Sequence, residues 1–142
     1  MTPAHIGHVR HSFTLVEPIA QQAAALFYDN LFTADPSLRR LFQGNMAQQG
    51  ARLMNMIATA VDLLDEPDAL VPALQKLGAR HVNYGVRDEH YATVGTALLN
   101  TLKQGLGEAY TDDVHAAWVA LYGVVSSTMM DAARASTEAQ AA

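Results

Sequence analysis

The chain has 142 residues, of which 50% are hydrophobic and 16% charged, and its formal net charge is -5. This length suits one domain, 1–142, with a sizeable apolar core. The negative charge argues against nucleic acid as the main partner, because nucleic-acid binding relies on cationic contacts to phosphates. The sequence contains no cysteine, which excludes disulfides, zinc–thiolate or iron–sulfur sites and thiol catalysis.

The chain shows no pattern of a targeting segment. Residues 1–10 are too polar for the apolar core of a signal peptide. No run of about 18 apolar residues offers a membrane span. We therefore expect a cytoplasmic protein without a membrane span.

Cap residues and prolines predict three N-terminal helices. Their bounds are Thr2-Pro3 to Val16, Pro18 to about Phe32, and Asp35-Pro36 to Leu41-Phe42. The stretch Gly44–Gly50 has the composition of a loop.

The first predicted helix contains three histidines spaced three residues apart, His5, His8 and His11. Such a spacing invites comparison with a metal site. Steps of three drift around a helix, however, and no acidic group lies nearby to orient the rings. We expect these side chains to lie on a partly solvated face.

Two polar side chains stand out on otherwise apolar helices. Tyr28 lies in a segment with almost no polar face, so its hydroxyl needs a hydrogen-bond partner or a ligand. Gln49 heads an apolar line that continues through Leu53, Met56, Ala60 and Leu64. Gln49 is either a solvent-facing residue at a helix start or a polar group that faces a site.

A histidine lies on the apolar face of the next helix. At 3.6 residues per turn, His81 falls on the same side as Leu70, Leu74 and Leu77. The imidazole is therefore expected in the interior, bound either to a protein hydrogen-bond partner or to a metal. Because proline breaks a helix interior, we expect this helix to begin near Pro72.

This helix is expected to end at Asn83-Tyr84-Gly85, with Gly85 in a left-handed conformation. Two long helices follow, with predicted caps at Asp88 and Thr111. His90 and His115 lie off the apolar faces of these helices, so we expect both in solvent. Residues 132–142 carry no anchoring hydrophobic side chain and are expected to fray.

The pattern predicts an all-α protein of six or seven helices. Five of its stretches together resemble the globin superfamily, and within it the single-domain bacterial haemoglobins and the haem domain of flavohaemoglobins. They are Leu26–Phe32, Pro36–Phe42, Leu74–His81, His90–Gly95 and Ala117–Gly123. The resemblance implies a globin fold around haem b (iron protoporphyrin IX).

The resemblance also implies individual roles near the iron. His81 matches the proximal histidine that binds haem iron, and Phe42 matches the aromatic residue that packs flat on the porphyrin. Tyr28 and Gln49 match distal residues that donate hydrogen bonds to bound ligand. Leu53 matches the apolar residue one turn after Gln49.

The remaining pocket residues are assigned by the same resemblance. Apolar walls are expected from Leu53, Leu77, Val86, Val94 and Leu98. Arg80, and less directly Lys76 or Arg87, is expected to pair with a haem propionate. The alternative for these three cations is ordinary surface charge, which contributes little.

One part of the flavohaemoglobin pattern is missing. Those proteins set a tyrosine and a glutamate behind the proximal histidine, which strengthens the histidine as a donor. Tyr91 matches the tyrosine, but the position of the glutamate, counted from Tyr122, is Ala133. Asp131 lies on a different face. The resemblance therefore implies a weaker push on the iron.

Two functions from different classes are compatible with this resemblance. One is reversible O2 binding by five-coordinate ferrous haem for storage, delivery or sensing, with NO and CO as further ligands. The other is nitric oxide dioxygenation, which converts NO and bound O2 to nitrate. The reductase of flavohaemoglobins is absent from the sequence, so turnover is expected to need an external reductase. A helical interaction module without a cofactor is the third alternative.

Overall fold

The computed structural model describes residues 1–42, 44–83 and 86–141. Within these ranges the chain forms α-helices and 3-10 turns and no β-strand, so the predicted all-α class is confirmed. The helices are α1 (Pro3–Val16), α2 (Ala20–Ala34), α3 (Met46–Asp62), α4 (Pro67–Asn83), α5 (Asp88–Leu106) and α6 (Asp112–Ala141). The 3-10 turns are Glu17–Ile19, Pro36–Leu41 and Gly107–Ala109. In the described part of the chain, no helix combines the length and hydropathy needed to cross a bilayer.

Several helix starts follow from the cap residues seen in the sequence. Side-chain oxygens accept hydrogen bonds from backbone N–H groups of the first turn, which would otherwise lack a partner. The three caps are Thr2 to His5 N–H at 3.2 Å, Asp35 to Ser37 N–H at 3.1 Å, and Thr111 to Val114 N–H at 3.2 Å. These predicted starts are confirmed.

The start of α3 corrects the prediction of a loop over Gly44–Gly50. The helix begins at Met46, because the side chain of Asn45 accepts a hydrogen bond from the backbone N–H of Gln48 at 3.1 Å. Gly44 has a φ of +90°, which a glycine adopts without strain. Within Gly44–Gly50, only Gly44 and the Asn45 cap therefore lie outside a helix.

The start of α4 also differs from the prediction. The helix begins at Pro67 and contains Pro72, which was expected near its start. Proline removes one intrahelical bond, here to the carbonyl of Asp68. Both residues are exposed, so water can satisfy that carbonyl. The predicted conformation of Gly85 lies outside the described residues, as does Tyr84.

The start of α5 shifts by one residue. Arg87 occupies the cap position, and its backbone N–H donates to His90 Nδ1 at 2.9 Å. Asp88 is therefore the first helical residue and not the cap. Its carboxylate accepts from the guanidinium of Arg134 in α6 at 3.0 Å.

The last helix extends further than its composition suggests. α6 continues as helix through Ala141, across the stretch in which fraying was expected. Arg134 anchors part of this stretch, because it pairs with Asp88 and with Asp131. Fraying of the remaining residues stays a prediction.

The core forms where α1 and α4 pack on α6 and where α2 packs on α3 and α5. Trp118 of α6 is 1% exposed, and its ring lies 6.4 Å from that of Phe13. The indole N–H donates to the hydroxyl of Ser12 at 2.8 Å, which satisfies a donor that has no access to water. Gly50 brings α3 close to α2, because a Cβ at this position would lie 2.9 Å from that of Ala24.

Candidate functional site

His81 is held in a defined orientation by α4. Leu70 and Leu74 lie on the same helix face as His81 and are buried where α4 packs on α6. His81 itself is half-buried. Its Nδ1 lies 2.7 Å from the carbonyl oxygen of Leu77, four residues earlier. Since a carbonyl only accepts, Nδ1 carries the proton and donates it, which leaves the lone pair on Nε2.

Burial lowers the pKa of His81. The hydrogen bond to Leu77 opposes this shift, and the nearby charge of Arg80 adds to it. Burial disfavours the charged imidazolium, so the ring is neutral under ordinary conditions. A neutral imidazole with a fixed tautomer is the form that binds metals.

A second group of predicted residues surrounds Tyr28. We call it the Tyr28 cluster. Its buried members are Phe27, Tyr28, Leu31, Phe32, Leu38 and Ala97, and the residues packed on them are Leu41, Phe42, Met46, Leu53, Val94 and Leu98. The fold thus brings the predicted pocket residues Phe42, Leu53, Val94 and Leu98 together with Tyr28.

Aromatic contacts fix the ring of Tyr28. It lies edge-on to Phe42 at 5.2 Å between centroids and is stacked on Phe32 at 5.9 Å. Burial raises the pKa of the Tyr28 hydroxyl to about 12. The phenol is therefore protonated and able to donate a hydrogen bond across the physiological pH range.

Gln49 lies in the first turn of α3 and is half-buried. The next residue, Gly50, is at the crossing with α2, where an added Cβ would lie 3.9 Å from the ring of Tyr28. This crossing places the backbone beside Gln49 next to Tyr28. Gln49 is half-buried, so it does not lie fully in solvent as one of its two alternatives required.

A third group, which we call the Tyr91 cluster, packs on α4. Its buried members are Leu70, Leu74, Tyr91 and Met129, and the residues packed on them are Ala60, Leu63, Leu64, Leu77, Val86, Val125 and Met130. The predicted residues Leu77, Val86 and Tyr91 are therefore neighbours. The hydroxyl of Tyr122 donates to the backbone carbonyl of Tyr91 at 2.5 Å.

The Tyr91 hydroxyl is buried and has no hydrogen-bond partner among the described residues. Its pKa is raised, chiefly by burial and also by the charge of Asp88. Asp131, the acidic residue near the expected glutamate position, is exposed and lies 3.6 Å from Arg134. The position that the resemblance gives to the glutamate is occupied by Ala133, whose side chain cannot accept a hydrogen bond.

A cleft of about 480 Å³ lies between α3 and α4. Leu77, Lys76 and Arg80 line its α4 side, and Met56 and Ala60 line its α3 side. The sequence-based set of pocket residues missed these last two. Their signal was present, because they follow Gln49 and Leu53 along one line of α3.

Arg87 does not border this cleft. Its guanidinium lies 4.0 Å from Glu89 in the first turn of α5, and both side chains are exposed. Of the three cations considered for propionates, Lys76 and Arg80 lie at the cleft and Arg87 does not. Substitutions of Lys76 and Arg80 can therefore be compared with a substitution of Arg87.

Three of the other histidines, His5, His90 and His115, have local partners. His5 Nδ1 accepts from the N–H of Thr2 at 3.3 Å, and His115 is exposed with Nδ1 2.6 Å from the hydroxyl of Tyr110. His90, half-buried where solvent was expected, accepts from the Arg87 N–H. Over residues 1–42, 44–83 and 86–141, no three His, Asp, Glu or Cys side chains form a group able to hold a metal.

Known proteins resemble the chain over most of its length. It is 38% identical to flavohemoprotein from Bordetella parapertussis over 112 residues, which is 77% of this chain and 28% of that protein. It is also 38% identical to flavohemoprotein from Chromobacterium violaceum over 121 residues, 80% of this chain and 30% of the relative. The chain therefore spans about 30% of the length of these curated relatives.

The fold has close structural counterparts. A solved hexacoordinated heme protein from an anhydrobiotic tardigrade superposes with a TM-score of 0.86, covering 94% of this chain and 96% of that one. The two sequences are 16% identical, so this likeness concerns the fold. The sequence pattern of the globin family matches residues 25–129. The chain belongs to the globin family.

Proposed function

We propose that this globin binds haem b through His81 and reversibly binds O2 in the cytoplasm, for storage, delivery or sensing. The observation that carries the proposal is the hydrogen bond from His81 Nδ1 to the Leu77 carbonyl, 2.7 Å long, because it fixes the tautomer in which Nε2 is the atom that can donate to a metal. Membership of the globin family supports the haem cofactor. When bound, haem supplies an iron with one position open to a diatomic gas.

The donor chemistry of His81 fits such a group. His81 supplies a neutral nitrogen donor, and its lowered pKa reduces competition from protons. The cleft between α3 and α4 is lined by Leu77 and Met56 together with Lys76 and Arg80, and neither His81 nor Tyr28 is among the residues that line it. In this proposal the two cations pair with the carboxylates of the cofactor, and the apolar side chains exclude water.

Tyr28 and Gln49 are the proposed distal donors. Tyr28 keeps its proton because burial raises its pKa to about 12, so it can donate to a partly negative oxygen atom of the gas ligand. The Gln49 amide is a second donor at the start of α3. Inside an apolar pocket such hydrogen bonds contribute more than in water, which slows the release of O2.

Nitric oxide dioxygenation is the second candidate function. The similarity to flavohemoproteins favours it. The proposed donors Tyr28 and Gln49 would serve either function. Conversion of NO and O2 to nitrate consumes one electron for each NO, so sustained activity would require an external reductase. Among the described residues no carboxylate is hydrogen-bonded to the Tyr91 hydroxyl, which would weaken the proposed push on the iron and favours O2 binding.

Gas cycling tests the two functions against each other. Haem-loaded ferrous protein should bind O2 and release it over repeated cycles, followed by absorption spectroscopy. Oxidation to the ferric state at the first exposure would contradict reversible binding. NO added to the O2 complex should give one stoichiometric turnover alone, and sustained consumption with an NADH-dependent flavin reductase would instead favour the dioxygenase.

A further inference from the structure

Three aromatic rings of the Tyr28 cluster contact one another in pairs. The ring of Phe32 is stacked on that of Tyr28, with 5.9 Å between centroids. Phe42 lies edge-on to both rings, 5.2 Å from Tyr28 and 5.6 Å from Phe32. Stacked and edge-on pairs at such distances are the favoured arrangements of aromatic rings. The position of each ring in this triangle therefore depends on the other two.

A cation covers one ring of the triangle from outside. The guanidinium carbon of Arg39 lies over the face of Phe32, 4.8 Å from the ring centroid. The negative face of an aromatic ring attracts a guanidinium within about 6 Å of its centroid. Phe32 is buried and Arg39 is exposed, so the guanidinium covers the outer side of the triangle.

No described acidic group competes with the ring for this guanidinium. The salt bridges found over residues 1–42, 44–83 and 86–141 involve the arginines at positions 10, 87 and 134. Within the same ranges, Arg39 is the only cation placed over an aromatic ring. The contact with Phe32 is therefore the interaction that orients the Arg39 side chain.

The backbone of Arg39 holds a second ring of the triangle. Arg39 belongs to the 3-10 turn Pro36–Leu41, and its carbonyl accepts a hydrogen bond from the backbone N–H of Phe42 at 3.1 Å. This bond closes the turn at Phe42. Arg39 is thus joined to Phe32 through its side chain and to Phe42 through its main chain, and these two rings are the ones that contact Tyr28.

We propose that Arg39 is a positioning residue, which fixes the Tyr28 hydroxyl for the gas ligand by holding Phe32 and Phe42 in place. This inference rests on the proposed function, in which Tyr28 donates to that ligand. A hydrogen bond weakens steeply as its geometry departs from linear, so a less constrained phenol is a poorer donor. Loss of the guanidinium should therefore weaken the Tyr28 donor without removing it.

A double-mutant cycle on stability tests the contact without any gas ligand. Arg39→Gln should raise the unfolding equilibrium constant roughly two- to fivefold, which corresponds to one cation–π contact at an exposed site. In a Phe32→Leu background the same substitution should have no effect, because the ring is gone. Arg40→Gln, in the same exposed turn, is the matched control. An equal effect of Arg39→Gln in both backgrounds would overturn the contact.

Oxygen release from the haem-loaded protein tests the positioning role. Arg39→Gln should speed O2 dissociation roughly two- to fivefold, whereas Arg39→Lys, which keeps the cation, should restore part of the loss. In a Tyr28→Phe background Arg39→Gln should change nothing further, because Arg39 acts through that hydroxyl. Arg40→Gln should release O2 at the wild-type rate.

The C–O stretching band of the CO complex reports the same hydrogen bond spectroscopically. A donor beside the ligand oxygen lowers the C–O frequency, so Tyr28→Phe should raise it. Arg39→Gln should shift the band in the same direction by a smaller amount, and Arg39→Lys should shift it back toward wild type. A general loss of stability would not produce this graded shift.

The outcomes separate the two proposals. A CO complex whose band and O2 dissociation rate are unchanged by Arg39→Gln would overturn the positioning role and leave the proposed function intact. Equal acceleration by Arg39→Gln with and without the Tyr28 hydroxyl would also contradict it. Failure of the wild-type protein to form any CO complex would overturn the proposed function, and the positioning role with it.

Discussion

Gly78 of α4 lies directly against the backbone of Met129 in α6. A Cβ atom added to Gly78 would lie 2.7 Å from Met129 Cα and 2.9 Å from its carbonyl carbon. Both sides of this contact are backbone, so no side-chain rotation can relieve a clash. The crossing therefore fixes the distance between α4 and α6 just before His81.

Gly78→Ala is expected to push α4 away from α6. Overpacking of this kind should lower the free energy of unfolding by about 1–3 kcal/mol, measured by urea denaturation. Gly7→Ala is the control, because nothing lies within 4 Å of a Cβ there and alanine favours a helix. A Gly78→Ala variant as stable as wild type would contradict the close crossing.

The position of His81 could be predicted from sequence because helical periodicity is local. Leu70, Leu74 and His81 share one face whatever the rest of the chain does, and the fold buries the two leucines. The start of α3 could not be predicted in the same way. The glycines at 44 and 50 give its first turn the composition of a loop, and the cap at Asn45 outweighs them.

Contacts between residues far apart in the chain could not be predicted from local sequence patterns. The crossing of Gly78 with Met129 joins two helices far apart in the chain. The same holds for the partners of Asp88, which pairs with Arg134 in place of capping α5. The roles of Tyr28, Gln49 and the other pocket residues stay predictions.

Tyr28→Phe and Gln49→Leu should each speed O2 dissociation. Loss of one hydrogen bond of about 1.4 kcal/mol corresponds to roughly a tenfold faster rate, measured by stopped-flow with CO replacement. Tyr110→Phe is the matched control, since that hydroxyl bonds to the exposed His115 at 2.6 Å. Unchanged rates in both variants would remove the proposed donors.

The raised pKa of Tyr28 predicts how stability depends on pH. An unfolded tyrosine ionises near about pH 10, whereas Tyr28 in the folded state ionises at about 12. Above pH 10 the unfolded state therefore binds fewer protons, and stability falls as the pH rises toward about 12. Tyr28→Phe should flatten this alkaline slope of the unfolding free energy. An equally steep slope in the variant would contradict the shift.

Tyr91 and Tyr122 should respond differently to loss of a hydroxyl. Tyr91→Phe removes a buried group without a partner in the described part of the chain, so stability should be unchanged or higher. Tyr122→Phe removes the donor to the Tyr91 carbonyl and should cost about 1 kcal/mol. Chemical denaturation of both variants measures the difference. The opposite order would contradict the described hydrogen bonding.

The central claim is that the His81 imidazole binds haem iron, and the visible absorption spectrum tests it most directly. Purified protein supplied with hemin should give the ferrous spectrum of a histidine-bound haem after dithionite, and a shifted Soret band after CO. His81→Gly should lose both features and regain them with added imidazole. A protein that stays colourless with hemin, or a His81→Gly variant with unchanged ferrous and CO spectra, would contradict the account.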